Sequence, residues 1–307
     1  MFDEILSKLN NQPYLTDSGL ETTLVFHEGL ELPCFAAFTL LDSAAGRETL
    51  RHYYRRHLAI AARKEVGFIL DTPTWRASPD WALRMDMSLS DLQRLNSKAV
   101  DEMKQLQSEA GATATLISGC IGPRSDGYQP AFIMSSAEAK DYHQQQILWL
   151  QQAGVDLISA LTLCYTDEAI GITQAAQQLE IPVVISFTVE TDGQLINGMP
   201  LRDAIESVDQ ATNEGPLYYM VNCAHPSHFQ NHLQGEHWLS RIKGIRANAS
   251  TKSHADLDNS VTLDAGDPQA LGESYKELKH LLPDLRVYGG CCGTDHRHIE
   301  AISHACC

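Results

Sequence analysis

The segment RVYGGCCGTDHRHIEAI, residues 286–302, shows the pattern from which the fold is predicted. Its first five residues form a short strand-like run that ends in two glycines, and Ile299 and Ile302 then follow at helical spacing. A strand followed by a helix is one βα unit, and the same alternation recurs along the whole chain. The strand-like runs occupy residues 14–17, 66–72, 113–118, 155–162, 182–188, 218–222, 241–246 and 286–290.

Eight βα units in series predict the α/β class and, within it, a (β/α)8 TIM barrel. Parallel strands need crossover helices between them, and eight such strands close most economically into a barrel of about 250 residues. We therefore assign residues 1–307 to a single domain. A doubly wound open sheet is the structural alternative, but it would carry a glycine fingerprint after its first strand, and residues 17–21 (DSGLE) are not one.

Local signals place helix starts and two loops. Ser135 with Glu138 three residues later predicts a capping box, and Thr294 is expected to cap the last helix. Residues 247–267 are polar and irregular, so in a barrel they would form the loop after the seventh strand and lie over the active-site face. Residues 74–90 would likewise lie over the mouth after the second strand.

Composition excludes several classes of function. The chain has 23 basic and 39 acidic residues, a net charge of −16, which disfavours binding to nucleic acid. We find no apolar run long enough to span a membrane, and the acidic N-terminus is unlike a secretory signal, so we expect a cytoplasmic protein. In that setting the eight cysteines are better explained as reduced thiols, some of them metal ligands or catalytic, than as disulfides.

The cysteines near strand ends predict a metal site. Cys291 and Cys292 lie between glycines after the eighth run, where the backbone can leave the extended form and turn both thiolates toward one ion. Cys223 ends the sixth run and would lie on the same face of a barrel. Three thiolates leave the fourth tetrahedral position open, as in a catalytic zinc site. The alternative is a buried cysteine and an unrelated vicinal pair, idle or acting as a redox switch.

These motifs resemble those of the homocysteine S-methyltransferase family. The family shares a strand-end Asn-Cys, here Asn222-Cys223, and a terminal Gly-Gly-Cys-Cys-Gly-Thr, here residues 289–294. Weaker matches run in order along the chain, at residues 15–19, 121–123 and 186–193. The resemblance implies a homocysteine-binding-type barrel in which Cys223, Cys291 and Cys292 bind Zn²⁺.

The activity implied by the resemblance is thiol methylation. A methyl group would pass to homocysteine or a related thiol, as in methionine biosynthesis. The chain is too short for the folate and cobalamin domains of multidomain relatives, so a sulfonium or quaternary ammonium donor is preferred, with its identity left open. Asp17, in the family's opening motif, would contact the amino group of the substrate; the alternative is a helix cap or a turn residue. Partners are thus small molecules, and the sequence says nothing of oligomeric state.

One position departs from the family. Leu161 stands where relatives commonly carry a glutamate that holds the substrate's ammonium group, and an aliphatic side chain cannot pair with a cation. Either the acceptor is not homocysteine or another carboxylate substitutes. Glu21 is a candidate for that role; the alternative is a solvated side chain. A non-methyltransferase barrel that binds zinc or thiols, with a lost or changed homocysteine pocket, is the alternative function.

Other residues near the predicted site have weaker assignments. Trp75 and Tyr165 follow strands and either line the pocket or pack against it. His225 and His228 are taken as second-sphere or surface groups because three thiolates are already available. Residues 306–307 (Cys-Cys) are expected to form a mobile tail without a role, the alternative being a tail that reaches the zinc.

Overall fold

The protein, described as a computed structural model over residues 2–235, 237–258, 260 and 262–307, is a closed barrel of parallel strands. The strands are β1 (Tyr14–Leu15), β2 (Gly67–Asp71), β3 (Thr115–Ile121), β4 (Leu157–Leu163), β5 (Val183–Phe187), β6 (Tyr219–Asn222), β7 (Ile242–Ala247) and β8 (Val287–Gly290). They pair in chain order, and β1 closes the barrel by pairing with both β2 and β8. Each predicted run overlaps one of these strands, although β3, β4 and β7 continue one to three residues beyond their runs, and the closed barrel confirms the (β/α)8 TIM barrel.

Helices cover the outside of the barrel between successive strands. The α-helices of the described residues are α1 (Phe2–Asn11), α2 (Leu20–Thr22), α3 (Ala44–Lys64), α4 (Pro79–Arg84), α5 (Leu89–Glu109), α6 (Ser136–Ala153), α7 (Thr166–Gln178), α8 (Leu201–Thr212), α9 (Pro226–Phe229), α10 (His254–Asp258), α11 (Pro268–Leu281) and α12 (His296–Cys306). The predicted capping box of Ser135 and Glu138 begins α6. None of the helices in the described part of the chain has the length and apolar character needed to cross a bilayer.

The barrel interior is apolar at its N-terminal end. Strand residues that point inward, among them Ile69, Leu157 and Met220, pack into one buried cluster. Helix α1 adds Ile5 and Leu9 to the same cluster. A second, larger cluster fills the layer between the strands and the outer helices. With the N-terminal end filled, the open end of the barrel is the one at the C-terminal ends of the strands, where barrel enzymes carry their sites.

Inward-facing positions become polar toward that open end. Asp71 lies two residues after Ile69 in β2, and Arg246 lies two residues after Gly244 in β7, so both share the inward face of their strands. Both side chains are nevertheless buried. Buried charges are costly unless they are paired, and Arg246 and Asp71 form an ion pair with each other.

Candidate active site

The three predicted metal ligands meet at the C-terminal ends of β6 and β8. The Sγ atoms of Cys223, Cys291 and Cys292 all lie within 4.8 Å of one another. The backbone holds them there: the Cys223 amide donates to Arg246 O at 3.1 Å, and the Cys291 amide donates to Ala247 O at 2.8 Å. Cys223 has a left-handed backbone with φ of 55°, which turns its side chain out of the regular strand alternation. The cluster is one that can hold a metal ion.

Cys223 and Cys291 are joined by a disulfide, with Cα atoms 5.3 Å apart. The expectation that all eight cysteines are reduced thiols is therefore wrong for these two. The physical reason is proximity, because Cα atoms at this separation suit a disulfide as well as a shared ion. Cys292 Sγ lies 3.9 Å from Cys223 Sγ. Thiolates, not disulfide sulfurs, bind metal, so a metal would occupy the reduced form of the cluster.

The loop that carries the vicinal cysteines is fixed by Thr294, though not in the way predicted. Its hydroxyl donates to Cys291 O at 2.7 Å and accepts from the Gly19 amide at 3.1 Å, so it ties the cysteine loop to the loop after β1. The expectation that Thr294 caps the last helix is wrong, because the next residue, Asp295, caps α12 with its side chain. Gly293 has φ of 80°, a conformation that favours glycine.

The cysteines line a cavity of about 420 Å³ at the open end of the barrel. Asp17 and Glu21, the two carboxylates predicted for the site, line the same cavity. All five predicted site residues therefore share one space. The loop after β7 lies over this cavity as predicted: His254 Nε2 donates to Cys223 O at 2.5 Å, and Asp264 contributes to the wall.

Asp17 and Asp71 are bridged by one guanidinium group. Arg246 Nη2 donates to Asp17 Oδ1 at 2.5 Å, and Arg246 Nη1 donates to Asp71 Oδ2. Asp17 Oδ2 accepts from the Tyr53 hydroxyl at 3.1 Å. Burial raises the pKa of Asp17 and raises the pKa of Asp71 to about 6, and the positive charge of Arg246 opposes both shifts. Burial favours deprotonation of Arg246, but its two carboxylate partners outweigh this and raise its pKa.

Glu21 is partly buried, and no ion pair involves its carboxylate among the described residues. Burial raises the pKa of Glu21 to about 7, and the nearby charge of Asp17 adds to the shift. This carboxyl group is therefore close to half ionised at neutral pH. A cation that entered the cavity would favour its ionised form.

Leu161 lies in the cavity wall, as its place at the end of β4 predicts. Trp75 lines the cavity too, and its indole Nε1 donates to Leu161 O at 3.3 Å. Tyr165 does not belong to the wall; it is buried, and its hydroxyl accepts from the Met134 amide at 3.4 Å. Trp75 thus lines the cavity, whereas Tyr165 packs in the protein interior.

The histidines and the last cysteines stand apart from the cluster. His225 caps the short helix α9 by accepting from the Ser227 amide, and His228 Nε2 donates to Thr251 O at 2.9 Å. The predicted mobile tail is wrong, because Cys306 is buried as the last residue of α12. That helix runs away from the end of β8, so its last turn lies at the opposite end of the barrel from the cysteine cluster.

A sequence model of the family described as homocysteine S-methyltransferase matches residues 14–306. The chain belongs to the homocysteine S-methyltransferase family. Homocysteine S-methyltransferase 1 of Arabidopsis thaliana is 22% identical over 314 residues, covering 94% of this chain and 92% of that protein. The solved structure of the homocysteine methyltransferase MmuM from Escherichia coli in its oxidized form has a TM-score of 0.76 at 19% identity, covering 97% and 98% of the two chains. Its metallated form gives a TM-score of 0.74 at 20% identity over the same shares.

Three site residues of this family member escaped the sequence analysis. Asp71 and Arg246 form a buried ion pair across 175 residues of sequence. Asn222 was noted only as part of the Asn-Cys motif, yet its side chain holds the end of β4 in place. The available signal was a charged or amide side chain at an inward position of a strand that is otherwise apolar. Which of these side chains meet is set by the closure of the barrel and not by any local pattern.

Proposed function

We propose that this chain is a zinc-dependent S-methyltransferase that moves a methyl group from a sulfonium or quaternary ammonium donor to homocysteine or a related thiol. The observation that carries the proposal is the cluster of three cysteine Sγ atoms within 4.8 Å of one another, lining one cavity in a chain that matches the family over residues 14–306. Relatives named homocysteine S-methyltransferase support the acceptor.

Zinc is the metal that the donor set favours. Three thiolates, from Cys223, Cys291 and Cys292, suit a soft or borderline ion, and tetrahedral zinc would keep a fourth position open. When bound, the ion lowers the pKa of an incoming thiol so that a thiolate nucleophile is available near neutral pH. The metallated form of MmuM supports a metal in this fold.

The charge of the cavity favours a cationic donor. Its wall carries five carboxyl groups against two guanidinium groups, and these residues are Asp17, Glu21, Asp71, Asp126, Asp264, Arg76 and Arg246. Trp75 and Tyr128 add aromatic surface. Sulfonium and quaternary ammonium groups are attracted both to carboxylates and to aromatic faces. An anionic donor would meet repulsion in the same space.

The acceptor end of the cavity needs a carboxylate because Leu161 supplies none. We propose that Asp17 and Glu21 contribute this negative charge. Glu21 is available for a ligand, whereas Asp17 already binds Arg246 and Tyr53. Closure of the cavity by the loop that carries His254 would keep water from the reacting methyl group.

The test is metal analysis joined to a matrix of thiols against donors. The reduced protein would be incubated with homocysteine, cysteine and an alkanethiol, each with S-methylmethionine, S-adenosylmethionine or a betaine, and the products weighed by mass spectrometry. We expect one zinc ion per chain and methylation of homocysteine or a close relative. Cys292→Ser should lose both zinc and transfer, whereas Cys120→Ser, a change in the same cavity outside the cluster, should keep both. Retained zinc with no methylated thiol would favour the zinc- or thiol-binding alternative.

A further inference from the structure

Asp71 has one carboxylate oxygen without a partner. Its Oδ2 accepts from Arg246, but its Oδ1 is buried and accepts no hydrogen bond among the described residues. The side chain is 6% exposed, and the residue lines the cavity. A buried carboxylate oxygen without a hydrogen bond is costly, and most buried polar atoms in folded proteins have a partner. A ligand in the cavity can therefore supply the hydrogen-bond donor that Asp71 Oδ1 lacks.

The missing donor is expected to be a cation. Arg246 is the one guanidinium shared by Asp17 and Asp71, so this buried group keeps one excess negative charge when both carboxyls are ionised. The third Arg246 nitrogen, Nε, donates to Gly290 O at 3.3 Å. Asp17 differs from Asp71, because both of its oxygens already have partners. Of the two bridged carboxylates, Asp71 is thus the one with a binding position to offer.

Asp71 lies where it can contact the amino-acid end of an acceptor whose sulfur binds at the cysteine cluster. The carbonyl that Arg246 contacts belongs to Gly290, the residue immediately before Cys291, so the bridged group and the cysteine cluster border the same stretch of cavity wall. Leu161 leaves the β4 side of that cavity without charge. Asp71, at the end of β2, is a carboxylate in the same wall that can supply this charge.

We propose that Asp71 Oδ1 binds the ammonium group of an amino-acid thiol acceptor and that Arg246 is the positioning residue that fixes the orientation of this carboxylate by binding Oδ2. This inference rests on the proposed function and assigns the specificity of the same site. The acceptor class is an α-amino thiol, and a thiol with the same chain but no ammonium group is discriminated against. Asp17 and Glu21 then add negative charge to the same cavity without making this bond.

Binding calorimetry on the zinc-loaded protein tests the assignment without catalysis. The probes are homocysteine and 4-mercaptobutanoate, which is homocysteine without its α-ammonium group. Wild-type protein should bind homocysteine about 10- to 100-fold more tightly, the ratio expected when one charged hydrogen bond is lost. Asp71→Asn should lower the affinity for homocysteine and so remove most of this preference. The Kd of 4-mercaptobutanoate should stay within about 3-fold of the wild-type value, a change too small for a lost hydrogen bond.

Asp264→Asn is the matched control, since it removes a carboxylate from the wall of the same cavity that already pairs with Lys252. We expect it to keep most of the preference for homocysteine. Loss of the preference in Asp264→Asn but not in Asp71→Asn would overturn the proposal, and so would equal binding of the two thiols by the wild type, a result that needs no variant to fold. A wild-type protein that prefers homocysteine but methylates nothing would refute the proposed function while leaving the Asp71 site intact. A wild-type protein that methylates both thiols equally would refute the Asp71 assignment while leaving the proposed function intact.

Discussion

Asn222 of β6 hydrogen-bonds both the amide and the hydroxyl of Thr162 in β4, across the mouth of the barrel. Its Oδ1 accepts from Thr162 N at 2.8 Å, and its Nδ2 donates to Thr162 Oγ1 at 2.8 Å. Thr162 has a left-handed backbone with φ of 64°, where the pairing of β4 with β5 shifts register. The residue before the cluster cysteine Cys223 thus holds an irregular strand end that borders the cavity.

Asn222→Ala should destabilise the fold. It removes both bonds to Thr162 and leaves buried polar groups without partners, at about 1 to 3 kcal/mol. Ser186→Ala is the control, because it removes only the 2.7 Å bond from Ser186 Oγ to the same Asn222 oxygen. Urea unfolding of the two variants checks the prediction. If Asn222→Ala unfolds at the same urea concentration as Ser186→Ala, Asn222 does not hold the end of β4.

Serine in place of any one cysteine of the cluster should weaken zinc binding. Cys223→Ser, Cys291→Ser and Cys292→Ser each remove one thiolate, and we expect a loss of at least about 10-fold in zinc affinity because hydroxyl oxygen is a poor substitute for thiolate sulfur. Chelator competition on the reduced proteins measures the affinity. Cys120→Ser should bind zinc as the wild type does. Wild-type affinity in any of the three cluster variants would remove that cysteine from the metal site.

Oxidation and zinc binding should exclude each other. Because Cys223 and Cys291 are joined by a disulfide in this structure, the oxidised protein has lost two of its three thiolates. Peptide mapping by mass spectrometry should find this linkage in oxidised protein without zinc, and zinc should bind stoichiometrically only after reduction. Oxidised protein that takes up zinc as well as reduced protein would contradict the shared cluster.

Glu21→Gln should stabilise the protein at alkaline pH. The pKa of Glu21 rises from 4.5 to about 7 on folding, so the folded protein holds this proton more tightly than the unfolded chain. The penalty for burying the charge is complete above pH 7 and disappears as the pH falls below 4.5. We expect the variant to gain about 1 to 3 kcal/mol at pH 8 and nothing near pH 4, from the free energy that corresponds to such a shift.

Urea unfolding of both proteins across this pH range measures the difference between them. Glu31→Gln, at an exposed position, is the control and should show no pH-dependent difference from the wild type. If the gain in unfolding free energy of Glu21→Gln over the wild type grew toward acid pH, the prediction would be wrong, because a buried carboxyl group with a raised pKa destabilises the fold only when it is ionised.

The barrel and the cysteine cluster were accessible from sequence because both leave local signals. Each strand appears as a short apolar run, and Cys291 and Cys292 stand between glycines at the end of one of them. The parallel order of the strands then brings Cys223 to the same edge without further information. Asp17 and Glu21 were predicted as site residues from their positions at and after the end of the first strand, and both line the cavity.

The bridged carboxylates were not accessible in the same way. Asp71 and Arg246 lie at strand ends 175 residues apart, and no spacing rule pairs β2 with β7 across a barrel interior. The sequence likewise could not choose between Thr294 and Asp295 as the helix cap, since both residue types cap well. That choice is made by Gly19, whose amide engages the threonine hydroxyl.

X-ray absorption at the zinc edge of the reduced protein tests the central claim most directly. We predict three sulfur ligands at about 2.3 Å and one lighter ligand, changing to four sulfur ligands when homocysteine is added. Fewer than three sulfur ligands, or a spectrum that homocysteine leaves unchanged, would contradict a three-cysteine centre that takes the acceptor thiol as its fourth ligand.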